Sequence, residues 1–410
     1  MNRMDATIRV FAAIAASALA AHAAIEIRSD YPGGNVKVEK IDEAANAVSL
    51  RPDYRDTPRY FHWDFTLSGA AGRKLHFQFP KGDYLSSLGP AISRDGGRTW
   101  TWLNADGRRH EPKNAFDYAF GADENETRFA VSIPYTQKNW DAACARWRGK
   151  GGVTFDILCK SQNGRRNTEL LRIRCQKGKA KWLFAFTARH HACETTANPV
   201  LEGIVDEILS GSPEGEWIRD NADCVFVPFM DKDGVEDGDQ GKNRRPHDHN
   251  RDYMAGIYTS VRAFKELLVR ESHGKRIVFF DLHSPHVRSF PNCPEQDCAF
   301  TFGSPVPKNN ARVNAFRRNW METAKGGALA YDGKNDIKAG KGYSVKMEKD
   351  RDAGLLSSRY WVEAQPNCWM STCCEFGYSL CNGIYSQAGG RELGRSLLKA
   401  AARTVKSLAK

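Results

Sequence analysis

The sequence predicts an α/β domain, with a mixed, mostly parallel sheet flanked by helices, preceded by an antiparallel β-sandwich. Two observations support this prediction. At 410 residues the chain exceeds what one core usually organises. Its hydrophobic pattern also changes near residue 134, from short alternating aromatic stretches to apolar runs separated by helical segments. We therefore expect a sandwich over 24–134 and the larger domain over 135–410.

The first 23 residues resemble a secretory signal peptide. Arg3 and Arg9 give a basic start, an apolar run covers 10–21, and Ala21-His22-Ala23 has the small-x-small form of a cleavage site. The apolar run is too short to span a membrane, and no later segment is long and apolar enough to do so. We expect cleavage near Ala23 and a periplasmic or secreted mature protein without a membrane span.

The predicted sandwich contains stretches that alternate as strands with one buried face do. Examples are 59–67, 74–79 and 128–133, and Asp95-Gly96-Gly97 marks a turn. No cluster of ionisable residues here has a catalytic pattern. The aromatic residues of this half are therefore expected to form its core.

The larger domain is predicted from four apolar runs, at 182–186, 224–227, 276–280 and 368–373. They lack polar alternation, as strands covered on both faces do. Helical stripes lie at 200–209, 254–268 and 393–408. In such sheets the active groups gather at the carboxyl ends of the strands.

Polar residues with metal-binding chemistry follow these strands. His191 and Glu194 are three residues apart after the first run, and His283 follows the third, with His286 as a rival. Two imidazoles and a carboxylate, with a position left for water, form a typical catalytic zinc site. Glu375 ends the fourth run, where a base could take a proton from that water.

The segment Asp248-His249-Asn250-Arg251-Asp252 predicts a site for a carboxylate. Arg251 can hold a carboxylate through two parallel hydrogen bonds, with Asn250 donating beside it. The formal net charge is +11, but the basic residues are scattered and form no nucleic-acid motif. We expect a peptide or peptide-like substrate with a free carboxylate, and anionic cell-wall material rather than nucleic acid as a further partner.

In this order the motifs resemble those of the funnelin-type zinc carboxypeptidases, the carboxypeptidase A superfamily, and most closely the cytosolic carboxypeptidase-like branch. Residues 189–194 are similar to R-x-H-P-x-E without its proline, 231–235 to N-P-D-G-V, 132–136 to Y-P-Y-T, and 248–251 to D-x-N-R. The resemblance implies one zinc ion per chain. It also implies that Asp248 orients His191 and that Glu375 is the general base.

The sequence departs from that pattern in one important place. The family's arginine that polarises the scissile carbonyl falls on Gly241, and we expect Arg244, or alternatively Arg245, to replace it. Arg359 lies where the family's specificity pocket is often lined and would suit an acidic side chain, but it could equally be an exposed loop residue. Tyr343, Tyr360 and Tyr378 are alternative mobile phenols.

The leading hypothesis is a secreted zinc-dependent metallocarboxypeptidase that hydrolyses the C-terminal residue of peptides. An alternative keeps the fold and makes the protein a zinc amidase or deacylase acting on peptidoglycan stem peptides or acylated amino acids. A third hypothesis is a carbohydrate- or peptide-binding protein with a degenerate site. The complete set of predicted ligands favours an enzyme.

Overall fold

A computed structural model describes residues 24–58, 60–288 and 297–409. The predicted signal peptide, residues 1–23, lies outside the described residues. Nine strands come first along the chain and form two sheets. They are β1 (Glu26–Arg28), β2 (Lys37–Asp42), β3 (Ala47–Arg51), β4 (Asp64–Ser68), β5 (Lys74–Gln78), β6 (Ala91–Ser93), β7 (Thr101–Trp102), β8 (Ala115–Ala119) and β9 (Glu126–Ala130).

The two N-terminal sheets have the strand orders β1-β4-β9-β6-β7 and β2-β3-β5-β8. Their pairs are antiparallel except β3 with β5, which is parallel and departs from the predicted pattern. Alternation gives each strand one apolar face, and these faces meet in a core rich in aromatic rings. Phe65, Phe77, Phe116 and Phe129 are fully or almost fully buried there.

The remaining strands form a seven-stranded sheet, in the order β10-β11-β13-β12-β14-β16-β15. The four central strands are parallel, whereas β10, β11 and β15 run antiparallel to their neighbours. The strands are β10 (Val153–Lys160), β11 (Asn167–Ile173), β12 (Trp182–Ala188), β13 (Ala222–Val227), β14 (Arg276–His283), β15 (Ala299–Thr301) and β16 (Cys368–Phe376). β12 and β13 are buried along their whole length, in agreement with their continuous apolar sequences.

Helices cover both faces of this sheet. They are α1 (Gln137–Trp147), α2 (Ala197–Ile208), α3 (Pro213–Asn221), α4 (Lys232–Asp237), α5 (Thr259–Glu271), α6 (Pro307–Thr323), α7 (Tyr343–Asp352), α8 (Ser358–Glu363) and α9 (Gln387–Leu408). The helix expected to start at residue 254 starts at Thr259 instead, and Met254 is 61 % exposed. No helix within the described ranges is both long and apolar enough to cross a membrane.

Helices α2 and α9 cross at two glycines. A Cβ atom on Gly203 would lie 1.9 Å from the carbonyl oxygen of Arg391, and one on Gly394 would lie 2.0 Å from that of Val200. Both distances are far below van der Waals contact. The backbones approach so closely only because neither residue has a side chain.

Candidate metal centre and substrate cavity

The turn after β12 is held in place by a buried arginine. Arg189 has a left-handed backbone conformation with φ of 58°. Its Nη1 donates hydrogen bonds of 2.9 Å to Tyr135 O and to Asn198 Oδ1, and its Nε donates one of 3.0 Å to Ala192 O. The guanidinium thus fixes the backbone on which the predicted ligands His191 and Glu194 lie.

Three potential metal ligands converge from two strand ends. Nδ1 of His191 lies 2.8 Å from Glu194 Oε1, and Nδ1 of His283 lies 2.7 Å from Glu194 Oε2. All three side chains are buried, and one ligand atom from each lies within 4.8 Å of the others. Burial opposes ionisation of Glu194, but the charges of His191, Lys242 and His283 hold its pKa well below the usual value. Glu194 is therefore a carboxylate.

The far nitrogen of each histidine faces another carboxylate. Nε2 of His283 lies 2.8 Å from Asp281 Oδ2, and Nε2 of His191 lies 3.4 Å from Asp248 Oδ1. A proton held on each Nε2 leaves the Nδ1 lone pairs directed at the space beside Glu194. Two imidazole nitrogens and one carboxylate in this arrangement fit a catalytic zinc ion.

Asp281 is a supporting residue that the sequence analysis missed. Its carboxylate accepts hydrogen bonds from Thr187 Oγ1 at 2.8 Å and from Ser358 Oγ, and it lies 2.9 Å from His190 Nδ1. The charges of His190 and His283 lower its pKa although burial acts in the opposite direction. Its position could have been a signal, because it lies two residues before His283 on the same face of a buried strand.

Glu375 lies next to the ligand His283 on the neighbouring strand. The two residues are Cα partners in the parallel pairing of β14 with β16. The side chain is 9 % exposed, and Oε2 is buried without a hydrogen-bond partner among the described residues. Burial and the nearby charge of Glu194 raise the pKa of Glu375 to about 7. A carboxyl group with this pKa can both accept and release a proton near neutral pH.

Among the described residues, Lys242 forms an ion pair with a potential ligand, Glu194, whereas the role predicted for Arg244 stays a prediction. Nζ of Lys242 lies 2.7 Å from Glu194 Oε1 and faces the Tyr60 ring at 5.7 Å from its centroid. Arg244 also lines the cavity, but its guanidinium lies 2.9 Å from Asp56 and 3.0 Å from Asp231. Two carboxylates already neutralise it. Lys242 directly follows Gly241, the position on which the family's arginine falls. This neighbouring position was a signal in the sequence for a second candidate cation.

The predicted carboxylate-binding pair is divided by the structure. Asn250 does not line the cavity, and its Oδ1 accepts a 3.0 Å hydrogen bond from Ser358 N. The role of Asn250 in binding the substrate carboxylate stays a prediction. Arg251 does line the cavity and remains the candidate.

These residues surround a cavity of about 650 Å³. His191, Glu375, Lys242 and Arg251 lie on its wall together with Tyr343, whereas Tyr360 and Tyr378 do not. His286, the rival ligand, also lines it but is not among the grouped metal ligands. An apolar part of the wall is formed by Phe300, Phe302, Ile337 and Leu355.

Arg359 is buried and not exposed in a loop. It is 1 % exposed, its guanidinium lies 5.6 Å from the centroid of Phe302, and its Nε and Nη2 have no hydrogen-bond partner among the described residues. It lies behind the wall of the cavity and is not one of the lining residues. The structure leaves its predicted role in specificity as a prediction.

One family model and several curated proteins are similar in sequence to this chain. Residues 152–327 match the family model described as zinc carboxypeptidase. That segment includes the three potential ligands but not Glu375. Mouse cytosolic carboxypeptidase 6 is 21 % identical over 291 residues, which are 62 % of this chain and 52 % of the mouse protein. The alignment thus spans about half the length of that relative.

Solved structures resemble almost the whole described chain. A metallo-carboxypeptidase from Burkholderia cenocepacia has a TM-score of 0.74 at 18 % identity, covering 94 % of this chain and 100 % of the other. One from Pseudomonas aeruginosa, solved with (2-guanidinoethylmercapto)succinic acid, has a TM-score of 0.72 at 20 % identity, covering 93 % and 100 %. These likenesses confirm the predicted fold.

Proposed function

Because residues 152–327 match the family model described as zinc carboxypeptidase, we propose that this protein is a zinc-dependent carboxypeptidase that removes the C-terminal residue of peptides. One observation carries the proposal. His191 lines one cavity together with Arg251 and Glu375 and groups with the other two potential zinc ligands, Glu194 and His283. Oε2 of Glu375 has no hydrogen-bond partner among the described residues. This arrangement combines a metal site, a base and an anchor for a terminal carboxylate.

Each residue has a defined task in this reaction. Bound zinc supplies a Lewis acid that polarises a carbonyl group and lowers the pKa of a water molecule. Arg251 holds the terminal carboxylate, which places the last peptide bond at a fixed distance from the metal ligands. Glu375 accepts the proton of the attacking water and delivers it to the leaving amine. Lys242 stabilises the negative charge that develops on the carbonyl oxygen.

The test is a digest of a synthetic peptide library followed by mass spectrometry. We expect loss of single C-terminal residues, no loss from the same peptides with amidated C-termini, and no activity after zinc is removed with a chelator. Readdition of zinc should restore cleavage. Muropeptides form a parallel arm, and their exclusive cleavage would favour the amidase alternative. No release from either class would contradict both proposals.

We also propose that the protein is exported and cut near Ala23. The support is the order of a basic start, an apolar run and a small-x-small site within residues 1–23. N-terminal sequencing of the protein from cell fractions of its native host tests this proposal. A periplasmic or extracellular protein starting near residue 24 is expected, and a full-length protein confined to the cytoplasm would contradict it.

A further inference from the structure

Arg251 is itself held by an acidic residue from a distant helix. Its Nε donates a 3.0 Å hydrogen bond to Oδ2 of Asp350, which lies on α7, 99 positions later in the chain. The two side chains are only 13 % and 18 % exposed, and both residues line the cavity. The ion pair therefore belongs to the cavity wall and not to the outer surface.

The hydrogen bonds of Arg251 show which part of its guanidinium is available. An arginine side chain has five N–H groups. Nε uses its single hydrogen on Asp350, and Nη1 donates one to the carbonyl oxygen of Asn250 at 3.0 Å. Within the described part of the chain the group has no other hydrogen bond. Nη2 and one hydrogen of Nη1 thus have no hydrogen-bond partner among the described residues, and N–H groups on these two nitrogens can bind a carboxylate end-on through two parallel hydrogen bonds.

We propose that Asp350 is a positioning residue for substrate binding. It fixes the rotation of the Arg251 guanidinium so that Nη1 and Nη2 face the terminal carboxylate of the peptide. This inference rests on the proposed carboxypeptidase function. Asp350 does not compete with the substrate, because it occupies the Nε side and leaves the Nη1 and Nη2 edge available.

Lys346 supports the same arrangement. Its Nζ lies 2.9 Å from Asp350 Oδ2, the oxygen that also accepts from Arg251. One carboxylate oxygen of Asp350 is thus shared between two cations, Lys346 and Arg251. Lys346 is 62 % exposed, which makes its own contribution small.

The kinetic test compares Asp350→Asn with Asp352→Asn. Asp352 is a matched control because it ends the same helix, is 67 % exposed and pairs with Arg351 instead of Arg251. With the best peptide from the library digest, Asp350→Asn should raise KM about tenfold and leave kcat within about twofold. The substitution removes the charge from the hydrogen bond that positions Arg251, and Arg251 binds the substrate without taking part in the proton transfers. The control should keep both constants. Asp350→Glu, which retains the carboxylate, should recover part of the loss in KM.

A binding measurement separates this proposal from the proposed function. Calorimetry of the zinc-loaded protein with N-acetylphenylalanine should show weaker binding to Asp350→Asn than to the wild type. N-acetylphenylalanine amide should bind both proteins equally weakly. This result would support the role of Asp350 even if no peptide is cleaved.

Several outcomes would overturn the role of Asp350. An unchanged KM and unchanged acid binding in a folded Asp350→Asn variant would do so. A lower KM would show instead that Asp350 blocks Arg251. A wild-type protein that does not discriminate the acid from the amide would remove the basis of the inference. Thermal melts of all variants followed by circular dichroism identify any variant that fails to fold.

Discussion

At the scale of single residues, the packing at Gly241 explains why a lysine at the next position contacts Glu194. Gly241 has a φ of +70°, and a Cβ atom there would lie 2.2 Å from the backbone nitrogen of Ala192. The loop after α4 therefore packs directly against the turn that holds His191 and Glu194, and no arginine fits at this position. The next residue, Lys242, reaches Glu194 instead.

Replacing Lys242 tests its assignment as the cation beside the carbonyl oxygen. Lys242→Met should reduce kcat by about 10²–10³, the usual effect of removing a group that stabilises a developing oxyanion. Lys242→Arg should keep most of the activity because it retains the charge. Steady-state kinetics with the zinc content of each variant provide the measurement. Equal activities for the methionine and arginine variants would show that the charge is not used.

Glu375→Gln tests the proposed base. The variant should bind zinc as the wild type does but lose activity by a factor of about 10²–10⁴. In the wild type, only the carboxylate form accepts a proton, so kcat/KM should rise with pH up to the pKa of this group. Burial and the charge of Glu194 raise that pKa to about 7. The positive charge of bound zinc acts in the opposite direction, so the rise of kcat/KM with pH should end at or below about pH 7. A pH profile of both proteins checks this, and substantial turnover by the variant would contradict the role.

The part of the site that is local in sequence was predictable. His191, Glu194 and His283 directly follow or close apolar strands, and parallel strands bring their carboxyl ends to one edge. The resemblance to zinc carboxypeptidases drawn from those motifs is confirmed by the matching family model. Lys242, the orientation of Asn250 and the partnership of Asp350 with Arg251 depend on loop conformations and distant contacts, which no local pattern specifies.

At the scale of elements, strand pairing places Glu375, the proposed base, beside His283, a potential zinc ligand. β14 and β16 are hydrogen-bonded neighbours with His283 opposite Glu375. Their apolar sequences predicted both strands, because strands buried on both faces need no polar alternation. The start of α5 was predicted less well, since the exposed Met254 fits a helical stripe but lies in the preceding loop.

The crossing of α2 with α9 gives a prediction about stability. Gly394→Ala should lower the free energy of unfolding by about 1–3 kcal/mol, because the added methyl group would push the two backbones apart. The higher helix propensity of alanine acts against this by about 1 kcal/mol at most. Urea unfolding followed by circular dichroism measures the difference. Gly211→Ala is a suitable control because a Cβ atom there would meet nothing within 4 Å.

At the scale of the whole molecule, the N-terminal sheets and the seven-stranded sheet are packed together. The core of the sandwich includes Cys193 from the ligand turn and Tyr378 from the segment after β16. His62 and Gln240 exchange two hydrogen bonds, in which His62 N donates to Gln240 Oε1 at 2.7 Å and Gln240 Nε2 donates to His62 O at 2.8 Å. The chain around Tyr60 is thereby held against Lys242 in the cavity.

Burial of the His62 imidazole in this region predicts that the stability of the protein depends on pH. Burial lowers the pKa of His62 to about 4, whereas an unfolded histidine titrates near 6.5. As the pH falls from about 6.5 to about 4, the unfolded chain binds a proton at His62 that the folded protein does not. Between pH 6.5 and 4, His62 therefore lowers the free energy of unfolding by up to about 3 kcal/mol.

His62→Gln removes the titrating group while its amide can still donate to Gly33 O, the present partner of His62 Nε2 at 3.2 Å. Between pH 6.5 and 4.5 the variant should lose about 2–3 kcal/mol less stability than the wild type. Urea denaturation at several pH values measures this. Parallel stability curves for the two proteins would contradict the assignment.

The shared core also limits how this protein can be shortened or recombined. A fragment starting at residue 135 would lack Phe61, whose ring lies 5.4 Å from that of Tyr378, and Cys193 would lose its buried surroundings. The newly exposed apolar surface would lie next to the active centre and promote aggregation. The N-terminal sheets are thus not an exchangeable module. A chimera should take the β-sandwich and the turn that holds His191 and Glu194 from the same protein.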